Sequence, residues 1–328
     1  MTKLNALKPG DKIGIYSPSA PATVNAPKRF ARAKQFLEDK GFIIVEGCLT
    51  GKSDFYRSGT IKERAKELNE LIRDPEIKCI MSTIGGMNSN SMLPYIDYEA
   101  FRKNPKILIG YSDVTAILLA IYEKTGIPTF YGPALIPSFG ELEPFVNVTF
   151  EDFSQAVKLE FPRELKMPAH WSDERVNWED KTTEKTAYHN EWVTVHPGIV
   201  TGRLIGGNLN TISGIFGTPY MPEIKQGDIL LLEDSYKDAA TIERYFSMLK
   251  LAGVFEKISG LIYGKLEQFD DSGTGRKPYE ILLEVLNGTK MPFLADFDCS
   301  HTHPMLTLPI GSTVKLDATA KKVTIVSL

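Results

Sequence analysis

Residues 106–125, KILIGYSDVTAILLAIYEKT, pass without a break from a strand-like run into a helical one. The run over 106–111 is short, apolar and partly β-branched, which is typical of a strand buried in a parallel sheet. A helix is predicted directly after it, over about 113–125. A strand that leads at once into a helix is the repeating unit of βαβ structure, so this stretch predicts an α/β fold.

The same alternation of strands and helices extends over the first 135 or so residues. Further strands are predicted over 11–16, 42–45, 77–81 and 128–131, and further helices over 26–40 and 60–73. Together these units predict an N-terminal α/β domain over residues 1–138, with a parallel sheet of the flavodoxin or Rossmann kind.

The remainder of the chain divides into two parts. Residues 139–197 lack sustained periodicity and are rich in charged and aromatic residues, so we expect a connecting region with loops of its own, one of them a substrate loop. Residues 198–328 are expected to form a C-terminal mixed α/β domain. Its predicted elements are strands over 228–233 and 258–263, helices over 239–252 and 278–287, and a hairpin over 312–328 that turns near Asp317.

The composition is that of an ordinary globular enzyme. Of the 328 residues 42% are hydrophobic and 24% are charged, and the net charge of −3 is spread without blocks of like charge. This balance gives no reason to expect a nucleic-acid or membrane partner. Residues 1–10, MTKLNALKPG, do not resemble a signal peptide, and no run approaches the roughly 18 apolar residues of a membrane helix. The three cysteines are far apart, so we expect a reduced, cytoplasmic protein.

Ser112 is the candidate nucleophile. It lies in Gly110-Tyr111-Ser112-Asp113, where a predicted strand meets a predicted helix. The carboxyl ends of parallel strands open onto the ligand crevice, and a helix N-terminus favours the negative charge that nucleophilic attack generates. The pattern is close to the Gly-x-Ser-x-Gly elbow, although Val114 stands at the last glycine position. The alternative is that Ser112 only caps the helix.

A glycine pair after the third predicted strand is a second candidate element. Gly85 and Gly86 follow the strand over 77–81, which should neighbour the strand that leads to Ser112. Glycine lets the main chain approach a ligand closely and offer an N–H group to an oxyanion. A tight turn that requires positive φ explains the same pair equally well.

A serine nucleophile needs a base, and histidine is the usual one. His301 and His303 lie in DCSHTHP, residues 298–304, and either ring could serve. The pair could also bind a metal ion, but no third ligand stands at a recognisable zinc spacing. Glu233, at the end of an apolar strand, could orient the imidazole or could be an exposed strand-end carboxylate.

Several separate motifs resemble, in one order, those of the LD-carboxypeptidase family. They are TIGGMNSNS at 83–91, GYSDVT at 110–115, GGNL at 206–209, LED at 232–234, and SHTHP at 300–304 with LPIG at 308–311. The resemblance implies a catalytic triad of Ser112, Glu233 and His301, with oxyanion donors in the backbone N–H groups of Gly86 and Asp113. It also implies a homodimer that uses no cofactor and no metal. One departure is Ser300, where the family more often has glycine.

Within this family the chain is more similar to the microcin C self-immunity branch than to the muropeptide-recycling enzymes. The segments that carry this resemblance are GGMNS at 85–89, VNWEDK at 176–181 and GRLIGGNLNT at 202–211. The branch cleaves the amide that joins an acidic aminoacyl group to a nucleotide-like phosphoramidate, which gives self-immunity to the antibiotic. The resemblance implies small-molecule substrate contacts from Trp178, Asn210, Lys237 and Glu267.

Trp178 would then stack on the nucleobase, unless it only packs the long loop onto the second domain. The first alternative function is that of the recycling enzymes, which remove the terminal D-Ala from L,D-linked muropeptides. A metallohydrolase that uses His301 and His303, and a catalytically silent binding module, are the other two.

Overall fold

Two large β-sheets organise the chain in the computed structural model, which describes residues 4–180 and 182–328. The strands are β1 (Lys12–Tyr16), β2 (Ile43–Glu46), β3 (Ile77–Ser82), β4 (Ile107–Gly110), β5 (Thr129–Tyr131), β6 (Arg163–Glu164), β7 (His170–Trp171), β8 (Tyr188–His189), β9 (Val193–His196), β10 (Ile199–Asn208), β11 (Ile229–Glu233), β12 (Gly260–Gly264), β13 (Phe293–Phe297), β14 (Leu308–Ile310), β15 (Thr313–Asp317) and β16 (Lys322–Ser327).

The helices lie between these strands and cover the sheets. They are α1 (Ala22–Asn25), α2 (Pro27–Asp39), α3 (Ile61–Arg73), α4 (Tyr98–Lys103), α5 (Thr115–Thr125), α6 (Phe145–Ala156), α7 (Leu209–Ser213), α8 (Ala239–Leu251) and α9 (Pro278–Leu286). α3 begins with a capping box, in which Thr60 accepts the N–H of Glu63 and the Glu63 carboxylate accepts the N–H of Thr60.

The first sheet has six strands in the order β14-β5-β4-β3-β1-β2. The five strands from the N-terminal part are parallel, as the sequence predicts, and β3 is the neighbour of β4. The sixth strand, β14, comes from the last part of the chain and runs antiparallel to β5. The first sheet therefore includes residues beyond position 300, and the domain boundaries at 138 and 198 stay a prediction.

The second sheet has eight strands in the order β6-β16-β15-β10-β11-β12-β13-β9. Its centre, from β10 to β13, is parallel, whereas β15, β16, β6 and β9 add antiparallel strands at its two sides. The predicted mixed α/β architecture is thus confirmed. Apolar side chains of both sheets are buried in one continuous core.

The connecting region is more regular than the sequence predicts. Residues 139–197, expected to connect the domains with loops of their own, contain α6 and the short strands from β6 to β9. The helix α6, FVNVTFEDFSQA, was not predicted because it is rich in aromatic and β-branched residues of modest helix propensity. Packing decides in favour of the helix here, since Phe153 is fully buried and its ring centroid lies 5.4 Å from that of Phe139.

The lengths of the described helices can be compared with the length that a membrane-spanning helix requires. Within residues 4–180 and 182–328, no helix is long and apolar enough to cross a bilayer. The longest α-helices are α2, α3 and α8, each of 13 residues, against about 20 for a transmembrane helix.

Candidate active site

Ser112 lies on a sharp turn between a strand and a helix. It follows β4 and begins a short 3₁₀ turn, Ser112–Val114, that runs into α5. Its φ of +62° is uncommon for a residue other than glycine and marks local strain. Val114, where the elbow pattern has glycine, is fully buried in the core. Glycine is required instead at Gly110, where a Cβ would lie 2.5 Å from Oγ of Ser82.

Two backbone N–H groups are available beside Ser112. Gly86 has a φ of +151°, and a Cβ there would lie 2.2 Å from Oγ of Ser19. A Cβ on Gly85 would lie 3.2 Å from the backbone nitrogen of Asp113, so the two loops are in close contact. In the described part of the chain, the N–H groups of Gly86 and Asp113 have no hydrogen-bond partner. The arrangement can therefore accept an oxyanion.

The carboxylate of Asp113 joins these two loops. Its Oδ2 accepts the N–H groups of Asn88 at 3.0 Å and Ser89 at 2.9 Å, and Oγ of Ser89 donates to the Asp113 carbonyl at 2.6 Å. Burial raises the pKa of Asp113, against the lowering effect of these hydrogen bonds. The side chain of Asp113 thus helps to fix the loop that carries Gly86.

His301 is oriented by a buried carboxylate. Its Nδ1 lies 2.8 Å from Oε2 of Glu233, which is the last residue of β11 and is fully buried. The Tyr111 ring packs edge-on at 4.9 Å from the imidazole. Burial alone would lower the pKa of His301, but the Glu233 carboxylate raises it, so the net shift is upward. The neighbouring Ser300 keeps negative φ, so the departure from glycine causes no left-handed backbone.

Two residues to which the sequence analysis assigned no role contact Glu233, and one of them also contacts Ser112. Oη of Tyr131 donates to Oε1 of Glu233 at 2.5 Å and accepts the N–H of Ser112 at 3.2 Å. Nδ2 of Asn208 also donates to Oε1 of Glu233, at 2.9 Å. Their positions in the strands could have indicated them. Tyr131 is the last residue of β5, the neighbour of β4, and Asn208 is the last residue of β10, the neighbour of β11.

Ser112 and His301 line one cleft of about 580 Å³. Its other lining residues are Ile84, Gly85, Gly86, Tyr111, Pro137, Glu174, Arg175, Val176, Trp178, Lys185, Tyr236, Glu267 and His303. Among the described residues, no hydrogen bond joins Oγ of Ser112 to the His301 ring. In ligand-free enzymes such bonds are often long and tighten only when substrate binds.

Two of the four predicted substrate contacts, Trp178 and Glu267, are among the residues that line the cleft. Trp178 packs on Ala22 and Ile136 and lies under the Arg29 guanidinium, whose carbon is 4.6 Å from the ring centroid. Burial raises the pKa of Glu267, an effect that the nearby His301 opposes. Lys181, the last residue of the motif around Trp178, lies outside the described residues.

The other two, Asn210 and Lys237, lie beside the cleft and are not among the described residues that line it. Both contact Asp234. The backbone N–H of Asn210 donates to Oδ2 of Asp234 at 2.9 Å, and Nζ of Lys237 lies 3.4 Å from its Oδ1. The cleft instead includes Arg175 and Tyr236, which the sequence did not single out, with the guanidinium carbon 4.4 Å from the Tyr236 ring centroid.

His301 and His303 contact different carboxylates. Whereas His301 meets Glu233, Nε2 of His303 lies 3.4 Å from Oε2 of Glu141, and burial lowers the pKa of His303 well below its ordinary value. Within the ranges that the structure describes, no group of three His, Cys, Asp or Glu side chains is arranged to hold a metal ion. The two rings therefore have separate surroundings.

The sequence matches one family of serine peptidases in both halves. Residues 13–132 match the LD-carboxypeptidase N-terminal domain, and residues 201–316 match the LD-carboxypeptidase C-terminal domain. The chain therefore belongs to the LD-carboxypeptidase family, which confirms the family inferred from its motifs.

Two relatives, one of them also compared as a solved structure, show what the chain is similar to within that family. It is 57% identical, over 320 residues, to the microcin C7 self-immunity protein MccF of Escherichia coli, covering 96% of this chain and 93% of that protein. A solved structure of MccF in complex with aspartyl sulfamoyl adenosine has a TM-score of 0.98 at 55% identity and covers 100% of this chain and 99% of its own. The murein tetrapeptide carboxypeptidase of Pseudomonas aeruginosa is 24% identical, over 80% of each chain.

Proposed function

We propose that this protein is a serine hydrolase that cleaves the amide between an acidic aminoacyl group and a nucleotide-like phosphoramidate, such as processed microcin C. The observation that carries the proposal is one cleft lined by Ser112, His301 and Trp178, which joins a nucleophile and a base to a flat aromatic surface. The 57% identity to a microcin self-immunity protein supports the same substrate class. Cleavage of such a compound would give self-immunity or detoxification.

The proposed reaction begins with proton transfer from Ser112 to Nε2 of His301. Glu233, at 2.8 Å from Nδ1, holds the ring in the tautomer that leaves Nε2 free to accept and stabilises the imidazolium that forms. The alkoxide attacks the scissile carbonyl, and the N–H groups of Gly86 and Asp113 stabilise the tetrahedral oxyanion. The imidazolium then protonates the leaving nitrogen. Water, activated by the neutral His301, releases the acyl group from Ser112.

On the substrate side, Trp178 would stack on the nucleobase and Glu267 would contact the ribose. Lys237 would approach the phosphate group, with Asn210 beside it. These two residues lie outside the lining of the ligand-free cleft, and both reach Asp234, which directly follows Glu233. A bound substrate that extends past Ser112 toward Asp234 would contact them.

The experiment is a direct comparison of two substrates on the wild-type protein. We expect an aspartyl or glutamyl phosphoramidate analogue of adenosine monophosphate to be hydrolysed with a higher kcat/KM than an L,D-linked muropeptide tetrapeptide. The reason is that the base offers a flat apolar face to Trp178, which the tetrapeptide lacks. A preference for the tetrapeptide would instead favour the alternative function in cell-wall recycling. Labelling of Ser112 by a fluorophosphonate would argue against a silent binding module.

We also propose a homodimer in the cytoplasm that acts on a small molecule. The dimer rests on the family resemblance, and the compartment rests on composition and on the unpaired cysteines, Cys48, Cys79 and Cys299. Light scattering coupled to size-exclusion chromatography would measure the oligomeric state, and a mass of one chain would refute the dimer.

A further inference from the structure

We propose that Glu141 is a positioning residue that holds the Trp178 side of the cleft in place for the nucleobase. This role rests on the proposed function, since it concerns the base of a nucleotide substrate. Nothing in the sequence motifs singled Glu141 out, and it does not line the cleft among the described residues. It would act on the substrate through Arg29 and Lys185.

One oxygen of Glu141 contacts three basic groups from three separate segments. Oε2 lies 2.9 Å from Nη2 of Arg29, 3.0 Å from Nζ of Lys185 and 3.4 Å from Nε2 of His303. The carboxylate is 2% exposed, and Arg29 and Lys185 are 1% and 7% exposed. Burial alone would raise the pKa of Glu141, but His303, Arg29 and Lys185 hold it well below its usual range. The side chain is therefore ionised at neutral pH.

Arg29 transmits the position of Glu141 to Trp178. Besides its contact with Glu141, it donates to the carbonyls of Ile136 at 3.0 Å and Pro137 at 2.7 Å, which fixes the guanidinium plane. The central carbon of the guanidinium lies 4.6 Å from the Trp178 ring centroid. A desolvated cation at this distance is attracted to the aromatic face, so the position of Arg29 biases the position of the ring.

Lys185 holds the second end of the same loop. Trp178 and Lys185 lie on the segment between β7 and β8. Ser172, at the start of this segment, is attached by two backbone hydrogen bonds to His303, and side-chain contacts attach the part that carries Trp178 and Lys185. Near Trp178, the Glu179 carboxylate accepts the N–H groups of Lys28 and Arg29 at 3.2 Å, at the start of α2. At the other end of the segment, Lys185 is attached by its ion pair with Glu141.

Replacing the carboxylate with an amide of the same shape would remove the one anion that is paired with both Arg29 and Lys185. Buried cations are stable only when they are paired, so at least one of them would move toward solvent. The Trp178 ring would then lose its fixed partner and sample more orientations before the substrate binds. Binding of the base would then have to order the ring, and this loss of conformational entropy raises KM. The chemistry at Ser112 is unchanged.

The test is Glu141→Gln, with Glu143→Gln as the matched control. Glu143 is exposed, two residues away, and accepts from Nδ2 of Asn147. For Glu141→Gln we expect KM for the aspartyl phosphoramidate nucleotide to rise about 10-fold, with kcat within about twofold of wild type. The kcat/KM for a small acyl ester without a base should stay within about twofold. Glu143→Gln should match wild type on both substrates.

A double-mutant cycle separates positioning from a general structural role. If Glu141 acts through Trp178, Glu141→Gln should add less than about twofold to the KM of Trp178→Ala. Equal losses on the nucleotide and the ester, or effects that multiply in the double variant, would overturn the role of Glu141. If circular dichroism shows that Glu141→Gln does not fold, Glu141→Asp, which keeps the charge, takes its place. This variant should also raise KM for the nucleotide and not for the ester, by a smaller factor. A wild type inactive on the nucleotide refutes the proposed function instead.

Discussion

The face of the cleft that carries Ser112 and the face that carries Trp178 are built from different kinds of interaction. Ser112 and Glu233 lie at the ends of β4 and β11, and Glu233 reaches His301 and Tyr131 through buried hydrogen bonds. Trp178 lies between two strands of two residues each, on a segment that is attached by the backbone hydrogen bonds of Ser172 with His303 and by the ion pair of Lys185 with Glu141.

The difference matches what each face has to do. Covalent chemistry tolerates errors of only about half an ångström, so its groups belong on rigid strand ends with satisfied hydrogen bonds. A stacking surface tolerates more, because dispersion and apolar contact vary gradually with position. Substitutions on the Ser112 face should therefore act mainly on kcat, and substitutions on the Trp178 face mainly on KM.

The largest effect is expected for Ser112→Ala. Removal of the nucleophile should lower kcat on the preferred substrate by about 10³-fold or more, while the folded circular-dichroism spectrum is kept. Ser154→Ala, at a partly exposed position on α6, is the matched control and should be silent. A Ser112→Ala variant that retains more than about 5% of wild-type kcat would contradict the assignment of the nucleophile.

Glu233→Gln tests the orienting carboxylate through both rate and pH. We expect kcat/KM at its plateau to fall by about 10²- to 10³-fold, because the imidazolium loses its stabilising charge. The base must be neutral, so wild-type activity falls as pH drops through the raised pKa of His301. Without the Glu233 charge that pKa decreases, and the acidic limb of the kcat/KM profile should move to lower pH. An unchanged acidic limb would show that Glu233 does not interact with the base that titrates.

Trp178→Ala addresses the other face and should be milder. We expect kcat/KM on the aspartyl phosphoramidate nucleotide to fall by about 10-fold, corresponding to roughly 1.4 kcal/mol of lost stacking, mainly through KM. A small acyl ester that reaches Ser112 without a base should be hydrolysed at nearly the wild-type rate. Equal losses on both substrates would show that the two faces are not independent.

The smallest effect is expected for metal removal. Dialysis of the wild type against a chelator should leave kcat/KM within about 20% of its starting value, because the role proposed for His301 is that of a base and not of a metal ligand. Zinc added back should not increase the rate. A loss of activity that zinc restores would favour the metallohydrolase alternative and would remove the distinction between His301 and His303.

The elements of the fold were largely predictable from local sequence. The apolar runs that became β1 and β3 and the amphipathic pattern of α3 lie within one or two residues of their predicted bounds, since burial of one face imposes a periodicity. α6 and β14 were not predicted. α6 depends on packing that overrides its propensities, and β14 is three residues long and pairs with a strand from far earlier in the chain.

The sequence by itself determined the family and the identity of Ser112, Glu233 and His301 as candidates, because ordered motifs carry that information. Only the tertiary structure decided which groups meet. It places His301 against Glu233 and His303 against Glu141, a distinction that two residues in one extended segment cannot show by periodicity. It also joined Glu141 to Arg29 and Lys185. Such contacts link positions scores of residues apart, and no local pattern records them, because they arise only when separate elements pack together.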